Sequence, residues 1–185
     1  MTRAFLIIDI QRDYFPGGAY PLVAPDAAAE AARRVLGAFR ATGEPIVHLQ
    51  HVWDAPDATF MRPGTDGVEI HELVAPIEGE QVISKSEPNG FVGTGLEATL
   101  RAAGIDSLVV AGMMSSMCVD ATVRAAVDLG FDATVVHDAC AAPNLSYEGT
   151  EIPGRSVHGA FMAALADGYA TLAASRELAA AALRR

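Results

Sequence analysis

The chain has 185 residues, a formal net charge of −10, and a composition that is 51% hydrophobic and 19% charged. This length and apolar share predict one folded domain over residues 1–185 and exclude a disordered chain. An acidic chain lacks the clustered lysine and arginine that bind nucleic acids or anionic membrane surfaces, so neither is an expected partner. No segment approaches the roughly 18 apolar residues of a membrane span, and Asp9 interrupts the short apolar N-terminus. These features predict a cytoplasmic protein.

Strand-like and helix-like segments alternate along the chain. Strands are predicted over residues 4–10, 45–52, 81–85, 107–113, 132–139 and 170–174. Helices are predicted over residues 25–42, 95–103, 117–129, 156–166 and 176–185. This alternation is typical of an α/β fold in which a doubly wound, mainly parallel, six-stranded sheet carries helices on both faces.

The irregular stretch over residues 53–80 is longer than an ordinary connection between elements, and such loops are usually functional or disordered. Two roles are open for residues 54–78, a cover over a binding site and a contact with a neighbouring subunit. In open α/β sheets, ligands bind beyond the carboxyl ends of the strands. Candidate functional residues are therefore those that end the first, third and fourth strands.

Three chemically distinct side chains occupy those positions. Asp9 ends an apolar strand, where a carboxylate is costly unless it is paired or accepts hydrogen bonds, so it is either functional or the cap of a turn. Lys85 closes the third strand, where a lysine commonly extends its ammonium group to solvent. Cys118 follows the fourth strand at the predicted start of a helix, where the helix dipole favours a nucleophilic thiolate with a lowered pKa. The alternative for Cys118 is a buried structural thiol, which describes Cys140 better.

Together these residues suggest nucleophilic catalysis, in which lysine stabilises a thiolate and aspartate moves the proton. The segments LIIDIQRDYF (6–15), Lys85 followed by Phe91, GMMSSMCVDAT (112–122) and DACA (138–141) make the chain similar to the isochorismatase-like cysteine hydrolases, which include the nicotinamidases. The likeness covers nearly the whole chain. It implies a sheet of strand order 3-2-1-4-5-6.

The same resemblance assigns roles to individual residues. It implies that Asp9 is the proton acceptor, Lys85 the cation beside the thiol, and Cys118 the nucleophile. It also implies a cis Met113–Met114 peptide and an oxyanion hole formed by the backbone N–H groups of Met114 and Cys118. It implies a small-molecule substrate, no cofactor, and assembly into a homo-oligomer.

The metal site of nicotinamidases is not expected here. The motif of that site requires a histidine at position 56, where this chain has Pro56 instead. His48 and His51 are three apart on a strand and are expected to face opposite sides of the sheet, so they should not share a metal. We therefore predict no metal.

Substrate contacts are predicted for Tyr14, Phe15, Trp53, Phe91 and Ser115. For the aromatic residues that follow the strand ends, the alternative is packing in the core or between subunits. For Ser115, the alternative is a hydrogen bond within its own turn. The resulting functional hypothesis is hydrolysis of a small amide through a thioester. The alternatives are hydrolysis of an ester, a carbamate or an isochorismate-like vinyl ether, and a non-catalytic binding module on the same fold.

Overall fold

The computed structural model describes residues 2–182 and contains a six-stranded parallel sheet of order β3-β2-β1-β4-β5-β8. This is the predicted order, with the last strand renumbered because a short hairpin, β6-β7, precedes it. The strands are β1 (Arg3–Ile8), β2 (Ile46–His51), β3 (Gln81–Lys85), β4 (Ser107–Met113), β5 (Asp132–Ala141), β6 (Leu145–Tyr147), β7 (Thr150–Ile152) and β8 (Thr171–Ala173).

Five α-helices cover the two faces of the sheet, as expected for a doubly wound fold. They are α1 (Pro25–Thr42), α2 (Leu96–Ala102), α3 (Asp120–Asp128), α4 (Gly154–Gly168) and α5 (Ser175–Ala182). The predicted last helix extends to residue 185, and residues 183–185 lie outside the described part of the chain. None of the helices within residues 2–182 is both long and apolar enough to cross a membrane.

Strand β1 shows how the sequence builds the two-sided core. Phe5 and Ile7 pack with the core on the α1 side, whereas Leu6 and Ile8 pack with the core beneath α2, α3 and α4. Because successive strand residues point to opposite faces, a continuous apolar run is the pattern required of a central strand buried on both sides. This run carries the chain to Asp9 at the carboxyl edge of the sheet.

The predicted helix over residues 117–129 is the clearest difference between expectation and structure. A π-helical turn (Ser115–Val119) comes first, and α3 begins only at Asp120. Cys118 therefore lies within an irregular turn and not at the first residue of the α-helix. Such π-turns recur at functional sites because they redirect a side chain out of regular helical geometry.

A partly buried charge cluster connects α1 to the chain just before β3. The Arg40 guanidinium donates two hydrogen bonds to the Glu80 carboxylate, 2.7 and 2.9 Å long, and His48 Nε2 lies 3.0 Å from the same carboxylate. Burial raises the pKa of Glu80, but hydrogen bonds from Arg40, the Ile77 N–H and His48 outweigh it and lower the pKa to about 2. The charged form of Glu80 is therefore favoured in the folded protein.

We expect Glu80→Gln to lower the free energy of unfolding at pH 7 by about 1–3 kcal/mol. Because the folded-state pKa is depressed, this stabilisation is complete above about pH 5 and is lost as the pH falls towards 2. Urea unfolding at several pH values should show the gap between variant and wild type shrinking below about pH 5. Glu30→Gln, in an exposed pair with Arg33, is the control and should cost at most about 0.5 kcal/mol. A gap for Glu80→Gln that does not change with pH would contradict the assignment.

Candidate active site

Four side chains meet where β1, β2, β3 and β4 end. Asp9 follows β1, His51 ends β2, Lys85 ends β3, and Cys118 lies in the turn after β4. Asp9, His51 and Cys118 each offer a nitrogen, oxygen or sulfur atom within 4.8 Å of the others. Lys85 Nζ lies 2.7 Å from Asp9 Oδ2, and both side chains are fully buried. The three residues predicted from separate strands therefore share one site.

The Lys85 ammonium group has three acceptors. Besides Asp9 Oδ2, it lies 3.1 Å from His51 Nδ1 and donates to the Glu87 carbonyl oxygen at 3.0 Å. An ammonium group has three N–H donors and no acceptor, so every donor is used. Lys85 therefore extends inward to a carboxylate and does not reach solvent. Its ion pair with Asp9 fixes it beside Cys118.

The expectation of a resting thiolate at Cys118 is wrong. Burial and the negative charge of Asp9 raise the pKa of Cys118 to about 12, and the opposing effect of Lys85 is smaller. At neutral pH the proton is therefore on the sulfur, next to a carboxylate.

Two opposing effects act on the pKa of Asp9. Complete burial raises the pKa of Asp9, whereas the charge and hydrogen bonds of Lys85 and the thiol of Cys118 lower it. The pKa of Tyr14 is well above 10 because the phenol is buried near Cys118 and Asp9. A carboxyl group with a raised pKa beside a protonated thiol is suited to accept and return a proton.

The turn that carries the sulfur begins with the peptide bond for which the resemblance implies a cis conformation. The Met113–Met114 peptide is cis. The Met114 carbonyl oxygen accepts hydrogen bonds from the N–H groups of Met117 and Val119, each at 3.1 Å. The N–H of Cys118, which lies between them in the sequence, does not donate to this oxygen. Ser115 Oγ lies 2.9 Å from His158 Nδ1 on α4, which ties the start of the turn to that helix.

A cavity of about 290 Å³ opens beside the sulfur. This is close to the lower limit of about 300 Å³ for small-molecule sites and indicates a compact substrate. Its described lining residues are Tyr14, His51, Trp53, Phe60, Ser86, Pro88, Met114, Met117 and Cys118. Tyr14 and Trp53 therefore lie where substrate contacts were predicted.

Three predicted substrate contacts do not line this cavity. Phe15 is buried in the core and stacks on His71, with ring centroids 3.7 Å apart. Phe91 stacks on Phe131 at 6.1 Å. Ser115 is turned away towards His158. For Phe15 and Phe91 the packing alternative holds, and the Ser115 hydroxyl contacts His158 rather than a group of its own turn.

His51 and Phe60 belong to the site, although His51 was considered only as a metal ligand and Phe60 was not among the predicted site residues. The strand order 3-2-1-4 contains the missing signal for His51, since it places the end of β2 between Lys85 and Asp9. Phe60 comes from the long loop and packs against Tyr14 and Trp53. The loop over residues 54–78 therefore contributes directly to the cavity wall.

Two buried polar residues after β1 hold that loop in place. The Gln11 amide donates to the carbonyl oxygens of His51 and Val68, at 2.8 and 2.7 Å, and accepts the His51 N–H at 2.8 Å. The Asp13 carboxylate accepts the N–H of Met61 at 2.6 Å, next to Phe60. These bonds connect the carboxyl edge of the sheet to the loop that carries Phe60.

The cluster of Asp9, His51 and Cys118 has the ligand types of a metal site, but the ammonium group of Lys85 occupies the position next to these atoms. Lys85 Nζ already lies against Asp9 Oδ2 and His51 Nδ1, two of the atoms a metal would need. Its positive charge would also repel a cation. His48 faces away from this cluster towards Glu80, as the spacing of the two histidines predicts.

Comparisons with known proteins agree with this architecture. A family model described as Isochorismatase domain matches residues 3–167. The uncharacterized isochorismatase family protein YddQ of Bacillus subtilis is 51% identical over 93% of this chain and 96% of its own length. Maleamate amidohydrolase of Pseudomonas putida is 35% identical over 73% of this chain and 70% of its own length. The crystal structure of an isochorismatase hydrolase from Oleispira antarctica has a TM-score of 0.93 at 46% identity, covering 97% of this chain and 96% of that one.

Proposed function

Because this chain belongs to the isochorismatase family of hydrolases, we propose that it is a cysteine-dependent amidohydrolase that cleaves the C–N bond of a small amide. The proposed catalytic residues are Asp9, Lys85 and Cys118. The observation that carries the proposal is the 2.7 Å Lys85–Asp9 ion pair beside the Cys118 thiol at a cavity of substrate size. Relatives of this chain include a maleamate amidohydrolase, which supports amide cleavage.

In the proposed first half-reaction, the sulfur attacks the amide carbonyl carbon while Asp9 accepts the thiol proton. Transfer during attack suits a thiol whose pKa is raised to about 12, because no free thiolate has to accumulate. The carbonyl electron pair moves to oxygen, where the N–H groups of Met114 and Cys118 donate to the oxyanion. One such donor contributes roughly 3–4 kcal/mol of transition-state stabilisation.

The tetrahedral intermediate then collapses. The C–N bond breaks, the carbonyl re-forms as a thioester, and the leaving nitrogen takes the proton from Asp9. In the second half-reaction Asp9 removes a proton from water, the hydroxide attacks the thioester, and the C–S bond breaks. The sulfur recovers its proton from Asp9, so acid and amine are the only products. Lys85 keeps its charge throughout and offsets the negative charge that forms on sulfur.

The test is a screen for released ammonia or amine over small primary amides, carbamates and ureido acids. Mass spectrometry of enzyme quenched during turnover should show the acyl group on Cys118. Turnover with an acyl adduct on that residue supports the proposal. Cleavage of esters or vinyl ethers alone, without release of ammonia or amine from any amide, contradicts it.

A further inference from the structure

The cavity beside Cys118 is predominantly apolar. Six of its described lining residues contribute rings, thioethers or a pyrrolidine to the wall: Tyr14, Trp53, Phe60, Pro88, Met114 and Met117. The polar groups besides the nucleophile are those of His51 and Ser86, together with the Tyr14 hydroxyl and the Trp53 indole N–H. A substrate that fills this space therefore exchanges water for apolar contacts over most of its surface.

No positive charge is available in this cavity to bind an anionic substrate. Among the described lining residues there is no arginine or lysine. The adjoining Lys85 ammonium has already used its three donors on Asp9, His51 and Glu87. A substrate carboxylate would lose its hydration in such a cavity without gaining a positively charged partner, which is strongly unfavourable.

The contact with Lys85 also sets the tautomer of His51. Burial and the positive charge of Lys85 lower the pKa of His51 to about 4, so the ring is neutral at pH 7. An ammonium group can only donate, so Nδ1 must accept and the ring proton must be on Nε2. Within residues 2–182, no hydrogen bond joins this Nε2–H to another protein group, and His51 lines the cavity.

We propose that the substrate is a neutral amide with a compact apolar acyl group that carries one hydrogen-bond acceptor, and that His51 Nε2–H binds this acceptor. This proposal rests on the amidohydrolase function proposed above and specifies the substrate class of the same site. His51 acts in it as a specificity-determining residue. The sulfur, Asp9 and Lys85 perform the bond cleavage.

A set of matched amides tests the proposal. Cyclohexanecarboxamide is the neutral reference, the tetrahydropyran-carboxamide isomers add one ether acceptor, and the 4-carboxylate derivative of the reference adds a charge. We expect kcat/KM to be about 3- to 10-fold higher for one of the ether isomers than for the reference, because one neutral hydrogen bond contributes an effect of this size. We expect it to be at least about 100-fold lower for the carboxylate. A carboxylate hydrolysed as well as the reference would overturn the proposal.

Two variants identify the donor. In His51→Asn, the side-chain oxygen can still accept from Lys85, but the donor corresponding to Nε2–H is lost. The kcat/KM preference for the ether isomer should fall to about one, mainly through a raised KM for that isomer. Ser86→Ala removes another polar side chain of the wall and is the matched control, in which the preference should remain. Loss of the preference in Ser86→Ala, with retention in His51→Asn, would overturn the assignment.

A second readout does not depend on turnover. Iodoacetamide and iodoacetate alkylate the same sulfur, but only iodoacetate is charged. The ratio of their alkylation rates at Cys118, divided by the same ratio for a small free thiol, therefore measures how strongly the cavity excludes anions. We expect the neutral reagent to be favoured by at least about 10-fold beyond the free-thiol ratio. A ratio equal to the free thiol's would overturn the proposal even in an active amidohydrolase. Anion exclusion without amide turnover would instead contradict the amidohydrolase function.

Discussion

We expect Cys118→Ala to reduce amide hydrolysis by roughly 10⁴-fold or more while the protein keeps its fold. The substitution removes the only atom that forms the thioester. Alanine fits the same π-turn, since it has no atom beyond Cβ and the turn is held by backbone hydrogen bonds to Met114. The loss of one buried sulfur should cost about 1 kcal/mol of stability. Steady-state kinetics and urea unfolding measure the two quantities separately.

Cys140→Ala is the matched control for that experiment. Cys140 is also buried and also has a pKa raised to about 12, but its sulfur donates to the Val136 carbonyl oxygen at 3.5 Å. It is not among the described residues that line the cavity beside Cys118. We expect Cys140→Ala to retain activity within about twofold. Undiminished hydrolysis by Cys118→Ala, or loss of hydrolysis only in Cys140→Ala, would exclude Cys118 as the nucleophile.

Local sequence signals predicted the regular part of the fold well. Helix α1 begins and ends at the predicted residues because Pro25 fits its first turn and Gly43 adopts the left-handed conformation that ends it. Strands β3 and β4 also have their predicted bounds. The grouping of Asp9, Lys85 and Cys118 followed from the rule that parallel strands bring their carboxyl ends to one edge.

The remaining features depend on packing between distant segments. The period-two rule that orients strand residues stops where the strand stops, so it could not place Phe15 or Phe91. Ser115 is turned towards His158, 43 residues further along the chain. The pKa of Cys118 was misjudged for a related reason, because a helix start is visible in a sequence whereas the burial of the sulfur is not. Sequence patterns thus placed the catalytic candidates but not the electrostatics between them.

That electrostatic arrangement makes Asp9→Asn the most informative second variant. Asparagine has nearly the same shape but cannot accept a proton, so we expect hydrolysis to fall by about 10²–10⁴-fold, the usual contribution of a general base. The Cys118 sulfur should nevertheless become easier to ionise. Burial and the Asp9 charge raise the pKa of Cys118 and the Lys85 charge lowers it, so removing Asp9 leaves burial opposed by Lys85 and lowers the pKa.

Asp9→Asn should therefore separate reactivity from catalysis. At fixed pH a larger fraction of Cys118 should be thiolate in the variant than in the wild type. The ultraviolet absorbance of the thiolate measures this fraction, and an Asp9→Asn, Cys118→Ala double variant, which lacks the sulfur, should not show it. Iodoacetamide should alkylate Cys118 faster than in the wild type, although turnover is lost. Asp120→Asn makes the same charge change two residues along the chain from the same thiol, in a pair with Arg124, and should alter neither quantity. A variant with slower alkylation would show that Asp9 does not hold the proton on sulfur, whereas retained hydrolysis would remove Asp9 as the base.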